Sequence, residues 1–304
     1  MIKVDRLSKS YNKKVAVDDL SFKVELGKVT GFLGPNGAGK STTMRMMLGL
    51  DNGRGRTTYD GKPLHSYEQP AKVVGILLEA KAFHPTRTAR NHLSVLATAG
   101  NIPLSQVDEV LKIVGLSDVA KSKPGKFSLG MSQRLGIAAA ILGQPKYLIL
   151  DEPANGLDPE GIAWLRQFLK TYAKDGRGVL VSSHLLSEMS QMAENVVVIG
   201  RGKLIADTSI DKLTAGQGSA VYVRASNISQ LEKALEESRY NYEEYERGIV
   251  INGATTDDIG KLASKTGTTL LELTAHTVSL EQAFLELTED AEEFQGRTKK
   301  GTTK

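Results

Sequence analysis

The spacing of hydrophobic positions changes several times along the chain, and each change predicts a different kind of element. Residues 2–24 alternate apolar and polar side chains, which is typical of small antiparallel strands. The apolar runs at 147–150 and 179–182 are short and uninterrupted, as in strands buried at the centre of a parallel sheet. Residues of about 85–145 carry apolar side chains at helical spacing, with prolines between them. Alternating strands and helices over residues 1 to about 212 predict an α/β fold.

A second pattern follows a stretch of small, flexible residues at 214–219, which we interpret as a linker. Beyond it, predicted strands alternate with predicted helices, the last of them at 280–287. This arrangement predicts a small C-terminal accessory α/β domain over residues 219–290, so that the first domain covers residues 1–213. Residues 291–304 form a basic tail that we expect to be disordered.

The charge of the chain does not indicate a nucleic-acid partner. The formal net charge is +4, but the segment 296–304 contains basic side chains and no acid. Without that segment, basic and acidic residues balance, and the body of the protein offers no basic stripe. The chain has no cysteine, which excludes disulfides and thiolate metal sites. Its histidines show no metal-ligand spacing.

Hydropathy sets limits on a membrane role. Hydrophobic residues make up 40% of the chain, which is enough for a buried core. No stretch stays apolar over the roughly 18 residues that a membrane-spanning helix needs, and the N-terminus lacks the apolar run of a secretory signal. If the protein serves transport, we expect the membrane part to be another chain.

The segment from Gly34 to Thr42 fits the phosphate-binding pattern G-x-x-x-x-G-K-[ST] at every defined position. A predicted strand at 29–33 leads into it and a predicted helix at 41–50 leads out, which is the context that the motif requires. The glycines let backbone amides turn toward a phosphate chain, and the helix start adds a positive dipole end. We expect Lys40 to reach the β- and γ-phosphates of a nucleotide and Ser41 to bind Mg2+. The residues expected to contact ATP here are Asn36, Gly37, Ala38, Gly39, Lys40, Ser41 and Thr42.

Two acids follow the apolar strand predicted at 147–150. A carboxylate at the carboxyl end of a parallel strand faces the ligand crevice of an α/β sheet. We therefore expect Asp151 to hold Mg2+, directly or through water, and Glu152 to orient or deprotonate the attacking water as the general base. Together with the phosphate loop, the pair predicts hydrolysis of a bound nucleotide.

Further motifs accompany these two. Residues 127–134 read FSLGMSQR, residues 156–159 read GLDP and residues 182–184 read SSH. With the phosphate loop and the strand-end acids, their order and spacing resemble the ATP-binding subunits of ABC transporters, over roughly the first two-thirds of the chain. The resemblance implies a P-loop NTPase core of ABC type. It also implies an antiparallel β subdomain, a helical subdomain inserted at about 85–145 and a small C-terminal α/β domain.

The resemblance also implies roles for single residues. In the family, the histidine at the place of His184 contacts the γ-phosphate and the catalytic water, and an aromatic residue at the place of Tyr11 stacks on the adenine. Ser128 and Gly130 would bind the nucleotide held by a partner subunit, which makes the site composite. Asp158 would shape the subunit contact beside the water, and it also suits a turn before a proline.

This chain departs from the family pattern in two places. The signature at 127–131 differs from the usual Leu-Ser-Gly-Gly-Gln at three positions but keeps the serine and the second glycine. For Gln133 and Arg134, just beyond it, exposed surface and subunit interface are equally compatible. Glu79 stands where the family usually has a glutamine that binds Mg2+ and senses the membrane partner, and a carboxylate can still coordinate Mg2+. The segment around Glu79 resembles that of bacitracin-type and lantibiotic-type peptide exporters.

The sequence therefore predicts the ATP-hydrolysing subunit of an ABC transporter that exports a peptide or amphiphilic antibiotic. We expect a second ATPase subunit, identical or related, and integral-membrane permease subunits contacting Glu79–Leu93. We expect no nucleic-acid partner and a peripheral position on the cytoplasmic face of the cell membrane.

Two other functions are weighed against this one. Soluble ABC ATPases that act on ribosomes or DNA typically fuse two ATPase domains or carry long coiled-coil insertions, whereas this sequence has one phosphate loop and no heptad run. A nucleotide-sensing regulator that does not hydrolyse ATP would not need the intact set of Lys40, Asp151, Glu152 and His184.

Overall fold

The computed structural model describes residues 1–12, 14–183, 186–215 and 220–276. The chain divides into two compact units, the first covering residues 1–208 and the second beginning at Ser209. Within the described ranges, no helix combines the length and the apolar character needed to cross a membrane.

The first unit alternates strands and helices, as the hydrophobic pattern predicts. Its elements are β1 (Ile2–Tyr11), β2 (Lys14–Val24), β3 (Val29–Leu33), α1 (Lys40–Met47), β4 (Arg54–Tyr59), α2 (Pro70–Val73), β5 (Val74–Leu77), α3 (Ala89–Ala99), α4 (Ser105–Ile113), α5 (Leu129–Ile141), β6 (Tyr147–Leu150), α6 (Pro159–Lys174), β7 (Gly178–Ser183), α7 (Leu186–Met192), β8 (Asn195–Gly200) and β9 (Lys203–Ser209). The helix after the phosphate loop was expected at 41–50, and it begins one residue earlier and ends at Met47.

The central sheet of this unit has six strands in the order β5-β6-β7-β3-β8-β9. The pairs from β5 through β8 are parallel. Every residue of β3, β6 and β7 is buried, as uninterrupted apolar runs predict for the centre of a parallel sheet. Because parallel strands end at the same edge, the loop after β3 and the acids after β6 meet at one side of the sheet. The predicted α/β core is confirmed.

A separate three-stranded sheet in the order β2-β1-β4 forms the antiparallel β subdomain. Ile2 pairs with Val24 on one side and with Tyr59 on the other. Alternate residues of these strands are buried and join one hydrophobic core with α1 and the central sheet. The register of β1 shifts several times along its length, and the strand ends at Tyr11.

The inserted helices α3 and α4 each bury one stripe of side chains at helical spacing, whereas α5 is buried around most of its circumference. In α4 the stripe consists of Val107, Val110 and Leu111. Helix α5 begins after Ser128, whose side-chain oxygen accepts a hydrogen bond from the backbone N–H of Met131 at 3.1 Å. This cap satisfies one of the free amides of the first turn and sets where the helix starts.

The second unit has its own sheet and its own core. Its elements are α8 (Ile210–Ala215), β10 (Ala220–Ala225), α9 (Ile228–Glu237), β11 (Asn241–Tyr245), β12 (Gly248–Asn252), α10 (Thr256–Thr266) and β13 (Leu270–His276). The sheet is antiparallel in the order β11-β12-β10-β13. Apolar residues of β10 and β12 form its core together with residues of α9 and α10.

Two expectations for this region differ from the structure. The stretch at 214–219 was predicted to be a linker, but its first two residues complete α8, and the second unit starts at Ser209 rather than at 219. Strand β11 was not predicted because its sequence, NYEEY, is polar and mostly exposed. The predicted helix at 280–287 and the tail at 291–304 lie outside the described residues.

Candidate active site

A pocket of about 400 Å³ opens where β3 and β6 end. It is lined by Tyr11, Lys14, Ala16, the loop residues 36–42, Asp151 and Glu152. The structure thus brings together every loop residue that was expected to contact the nucleotide, the predicted adenine-stacking residue and both strand-end acids. The parallel sheet places them there, because the loop and the acids follow strands that are both paired with β7.

The phosphate loop packs closely against the β subdomain. Gly39 precedes α1 with a φ of 100°, and a Cβ at this position would lie 2.3 Å from the carbonyl oxygen of Ala16. Only glycine accommodates both the backbone conformation and the contact. Helix α1 starts without a side-chain cap, so the amides of its first turn are available to a ligand in the pocket.

Lys40 lies in the wall of the pocket and is only 7% exposed. Its Nζ donates hydrogen bonds to the carbonyl oxygens of Gly34 at 2.6 Å and of Pro35 at 3.3 Å. Burial lowers the pKa of the Lys40 ammonium, and the negative charges of Glu152 and Asp151 act against that decrease. A positive charge is therefore held in the same pocket as two acids, close enough for their charges to act on it.

A buried serine connects the two acids. Ser182 Oγ donates a hydrogen bond to Asp151 Oδ1 at 2.5 Å and accepts one from the backbone N–H of Glu152 at 2.8 Å. Asp151 also donates its backbone N–H to the carbonyl oxygen of Leu77 at 2.7 Å. The SSH motif marked Ser182 in the sequence, but its contact with the acids depends on β7 lying beside β6.

Tyr11 sits at the rim of the pocket with 47% of its surface exposed. Its hydroxyl donates to Asp51 Oδ2 at 2.9 Å, and Arg45 holds the same carboxylate with contacts of 2.9 and 3.2 Å. The hydrogen bond to Asp51 is the main reason that the pKa of Tyr11 is raised. Lys9 Nζ lies 4.9 Å from the centre of the ring. Asp51 was not predicted, since nothing in its local sequence relates it to a residue forty positions earlier.

Other predicted site residues lie outside the pocket lining. Ser128 caps α5, and a Cβ on Gly130 would lie 3.0 Å from the carbonyl oxygen of Gly156. Asp158 caps α6, and its Oδ1 accepts the backbone N–H of Gly161 at 2.8 Å, so in this structure it begins a helix rather than forming a turn. His184 lies outside the described residues.

Glu79 lines a second cavity, of about 630 Å³, which we call the apolar groove. The groove lies between β5 and the inserted helices α3 and α5, and Leu77, Phe83 and Leu135 contribute to its walls. His92 also lines it and is 8% exposed, and burial lowers the pKa of its imidazole. The structure therefore places Glu79 beside an apolar surface and not in the lining of the nucleotide pocket.

Of the two residues considered just beyond the signature, Gln133 is buried and Arg134 is half-buried. Gln133 is 4% exposed, and its Nε2 donates to the carbonyl oxygens of Glu152 and Asn155, each at 3.2 Å. Arg134 donates to the carbonyl oxygen of Val114 at 3.1 Å, with its guanidinium 4.6 Å from the ring of Trp164. Both interpretations offered for Gln133 are wrong, because the segment after β6 folds back onto α5 and covers it.

Comparisons with known proteins agree with this geometry. A family model described as ABC transporter matches residues 17–155, and a domain of unknown function matches residues 219–281. The chain is 37% identical over 296 residues to the bacitracin transport ATP-binding protein BcrA of Bacillus licheniformis, covering 94% of this chain and 97% of the relative. It is 36% identical over 212 residues to the lantibiotic transport ATP-binding protein SrtF of Streptococcus pyogenes, covering 69% of this chain and 92% of the relative.

Among solved structures, the chain resembles an ATP-binding subunit of an ABC transporter with a TM-score of 0.65 and 28% sequence identity. The match covers 71% of this chain and 92% of that one.

Proposed function

The chain belongs to the ATP-binding subunits of ABC transporters and is an ATPase, and we propose that it energises export of a peptide or amphiphilic antibiotic through separate permease subunits. The relatives named for bacitracin and lantibiotic transport support this cargo class. The bacitracin relative matches nearly the whole chain, so the likeness extends into the second unit. We also propose a peripheral position at the cytoplasmic face of the membrane.

The observation that carries the proposal is the nucleotide pocket itself, which brings Lys40, Asp151 and Glu152 together in one lining. In this arrangement the loop amides and Lys40 bind the phosphates of ATP and offset their charge. Glu152 takes a proton from the attacking water, or orients that water, as general base. Tyr11 offers a half-exposed ring at the rim for the adenine.

The donor set of the pocket also fits Mg2+. This ion prefers hard oxygen ligands and is usually bound by one or two carboxylates together with substrate phosphates. Ser41 and Asp151 supply a hydroxyl and a carboxylate in the same pocket, and we propose that they hold the ion. When bound, Mg2+ neutralises charge that develops on the phosphates. We include Glu79 as a third ligand, although in this structure its carboxylate belongs to the apolar groove.

We propose further that hydrolysis requires a second ATPase subunit. Ser128 and Gly130 lie at the start of α5, outside the lining of the pocket. The exposed N-terminal end of a helix suits the binding of phosphate, so these residues would contact the nucleotide of the partner, with Asp158 near the contact between subunits. ATP would then hold two subunits together, and hydrolysis would release them.

For the permease, we propose the apolar groove and the adjoining segment Glu79–Leu93 as the docking site. A large apolar surface on a soluble domain usually marks a binding site. The groove is walled by β5 from the ATPase core and by α3 and α5 from the helical subdomain. A permease segment bound there would contact both the ATPase core and the helical subdomain, and any movement between them would displace it.

The experiment that tests the ATPase assignment is Glu152→Gln. We expect ATP binding to persist and turnover to fall about 100-fold or more, to a small residual rate, because the amide cannot accept the proton. Glu109→Gln, an exposed change on α4 outside the pocket, is the matched control and should hydrolyse ATP like the unaltered chain. Turnover in Glu152→Gln equal to that of the control would show that Glu152 is not the base.

The transport assignment is tested by purifying the full chain from gently solubilised membranes and identifying its partners by mass spectrometry. A polytopic membrane protein in near-equal amount is the expected result. Ribosomal or DNA-associated partners without any membrane protein would contradict it.

A further inference from the structure

Gln133 is a buried polar side chain for which the ATPase chemistry described above has no role. It lies on α5 with 4% of its surface exposed. Its amide nitrogen donates one hydrogen bond to the carbonyl oxygen of Glu152 and one to that of Asn155, both at 3.2 Å. Its Oε1 is buried and has no hydrogen-bond partner within the described ranges. The side chain therefore serves only as a donor to the main chain that carries the general base.

The main chain at Glu152 is strained, and hydrogen bonds hold both its N–H and its carbonyl oxygen. Its φ is +48°, in the left-handed region that non-glycine residues seldom adopt. Such a conformation costs free energy and persists only where the surroundings determine it. On one side, the N–H of Glu152 donates to the buried hydroxyl of Ser182 at 2.8 Å. On the other side, its carbonyl oxygen accepts from Gln133 and from the N–H of Asn155 at 3.2 Å.

Resting on the proposed role of Glu152 as base, we propose that Gln133 is a positioning residue for hydrolysis: its amide holds the backbone of Glu152 so that the carboxylate points into the pocket. A glutamine suits this role because one NH₂ group supplies two donors to two carbonyl oxygens. The reverse orientation of the amide would set oxygen against oxygen. A general base is effective only within hydrogen-bond reach of the proton that it removes. The orientation of the backbone at Glu152 therefore affects the rate of ATP hydrolysis.

The neighbouring contacts support the same assignment. The turn after Glu152 packs onto the first residues of α5, where the carbonyl oxygen of Gly156 approaches Gly130. The side chain of Leu129 fills the space beside Gly156. Helix α5 and the segment 152–157 thus form one packed contact, and Gln133 supplies its hydrogen bonds to the end that carries Glu152.

The test is Gln133→Met in the full-length chain. Methionine has a similar size and shape but donates no hydrogen bond, and it also removes the unpartnered Oε1. Since a misplacement of about 1 Å at a reacting group can cost about 100-fold in rate, we expect kcat for ATP hydrolysis to fall about ten- to 100-fold. The dissociation constant for ATP should stay within about twofold of that of the unaltered chain, because the phosphate loop is untouched.

A double-variant experiment separates positioning from general damage to the structure. In the Glu152→Gln background the base is already absent, so adding Gln133→Met should cause no further loss of the residual turnover. Arg134→Met is the matched control, since it removes a side chain of α5 that bonds to Val114 and not to residues 152–155. It should keep kcat within about twofold.

Several results would overturn the inference. One is a kcat within about twofold of the unaltered chain in a folded Gln133→Met variant. Another is an equal fractional loss of turnover in both backgrounds. If Gln133→Met does not fold, Gln133→Asn takes its place with the same expectations, because it keeps the amide but shortens its reach. If neither variant folds, Gln133 is a folding residue only. A full-length chain without ATPase activity, both alone and together with the ATPase subunit that co-purifies with it, would instead refute the proposed function.

Discussion

Replacing Gly39 by alanine tests whether close packing of the phosphate loop, and not only its sequence pattern, makes the nucleotide site. Two separate effects follow from the added methyl group. The backbone at Gly39 has a φ of 100°, which disfavours any residue with a Cβ by about 1–2 kcal/mol. The methyl carbon would also lie 2.3 Å from the carbonyl oxygen of Ala16.

The second effect is the larger one for function. Carbon and oxygen atoms of this kind do not approach closer than 3.0 Å, so the loop or β2 must move by at least 0.7 Å. Neither partner is the end of a flexible side chain, since one is a backbone carbonyl and the other sits at the start of α1. A displacement approaching 1 Å in the phosphate cradle should reduce kcat/KM about 100-fold, equivalent to about 2.7 kcal/mol of transition-state stabilisation.

Gly176→Ala provides the matched control. Gly176 also has a positive φ, +81°, but a Cβ there would meet nothing within 4 Å. It should lose about 1–2 kcal/mol of unfolding free energy from backbone strain and keep its kinetics, as measured by urea unfolding and by phosphate release. If Gly39→Ala keeps its kcat/KM, or if the two variants have the same kinetics, the argument from the Ala16 contact is refuted.

Three other predictions follow from the contacts of the site. Asp51→Ala removes the acceptor of the Tyr11 hydroxyl. The dissociation constant for ATP, measured in a binding titration, should rise about two- to fivefold while kcat is unchanged. Unaltered affinity would contradict a positioning role for Asp51. Ser182→Ala leaves the N–H of Glu152 without its acceptor, so urea unfolding should show a loss of about 1–3 kcal/mol together with a reduced kcat, and full activity would count against this role. Because burial lowers the pKa of folded His92, the unfolded chain takes up more protons than the folded chain as the pH falls below about 6.5. The stability contributed by the neutral His92 is complete above that pH and is lost below it. Between about pH 6.5 and 5.5, His92→Gln should therefore lose less stability than the unaltered chain. Urea midpoints that fall equally in both proteins would argue against this role.

The residues of the nucleotide site that could be predicted belong to short, contiguous patterns. Residues 34–42 form a loop whose geometry is local, since its glycines and its helix start depend on neighbours in sequence. The place of Asp151 and Glu152 followed from one general property of parallel sheets, which is that their strands end at the same edge. The six-stranded sheet and the pocket lining agree with both inferences.

The residues that were missed or misplaced make contacts between distant parts of the chain. Asp51 meets Tyr11 across forty positions of sequence, Ser182 meets Asp151 across 31 and Gln133 meets Glu152 across 19. Polar residues of these types are common on protein surfaces, so their composition and spacing do not mark them. Glu79 shows the same limit, because the structure places it beside an apolar groove and the sequence alone does not reveal that surface.

By itself, the sequence determined the α/β core, the antiparallel subdomain, the phosphate loop and the identity of the acids that share its pocket. Each of these follows from local propensity, from the period of apolar residues or from a contiguous motif. Only the tertiary structure decided which side chains hold the acids in place, that Gln133 is buried, and that the second unit begins before the predicted linker. These features depend on which strands and helices become neighbours, and that choice minimises the free energy of the whole chain rather than of any single segment.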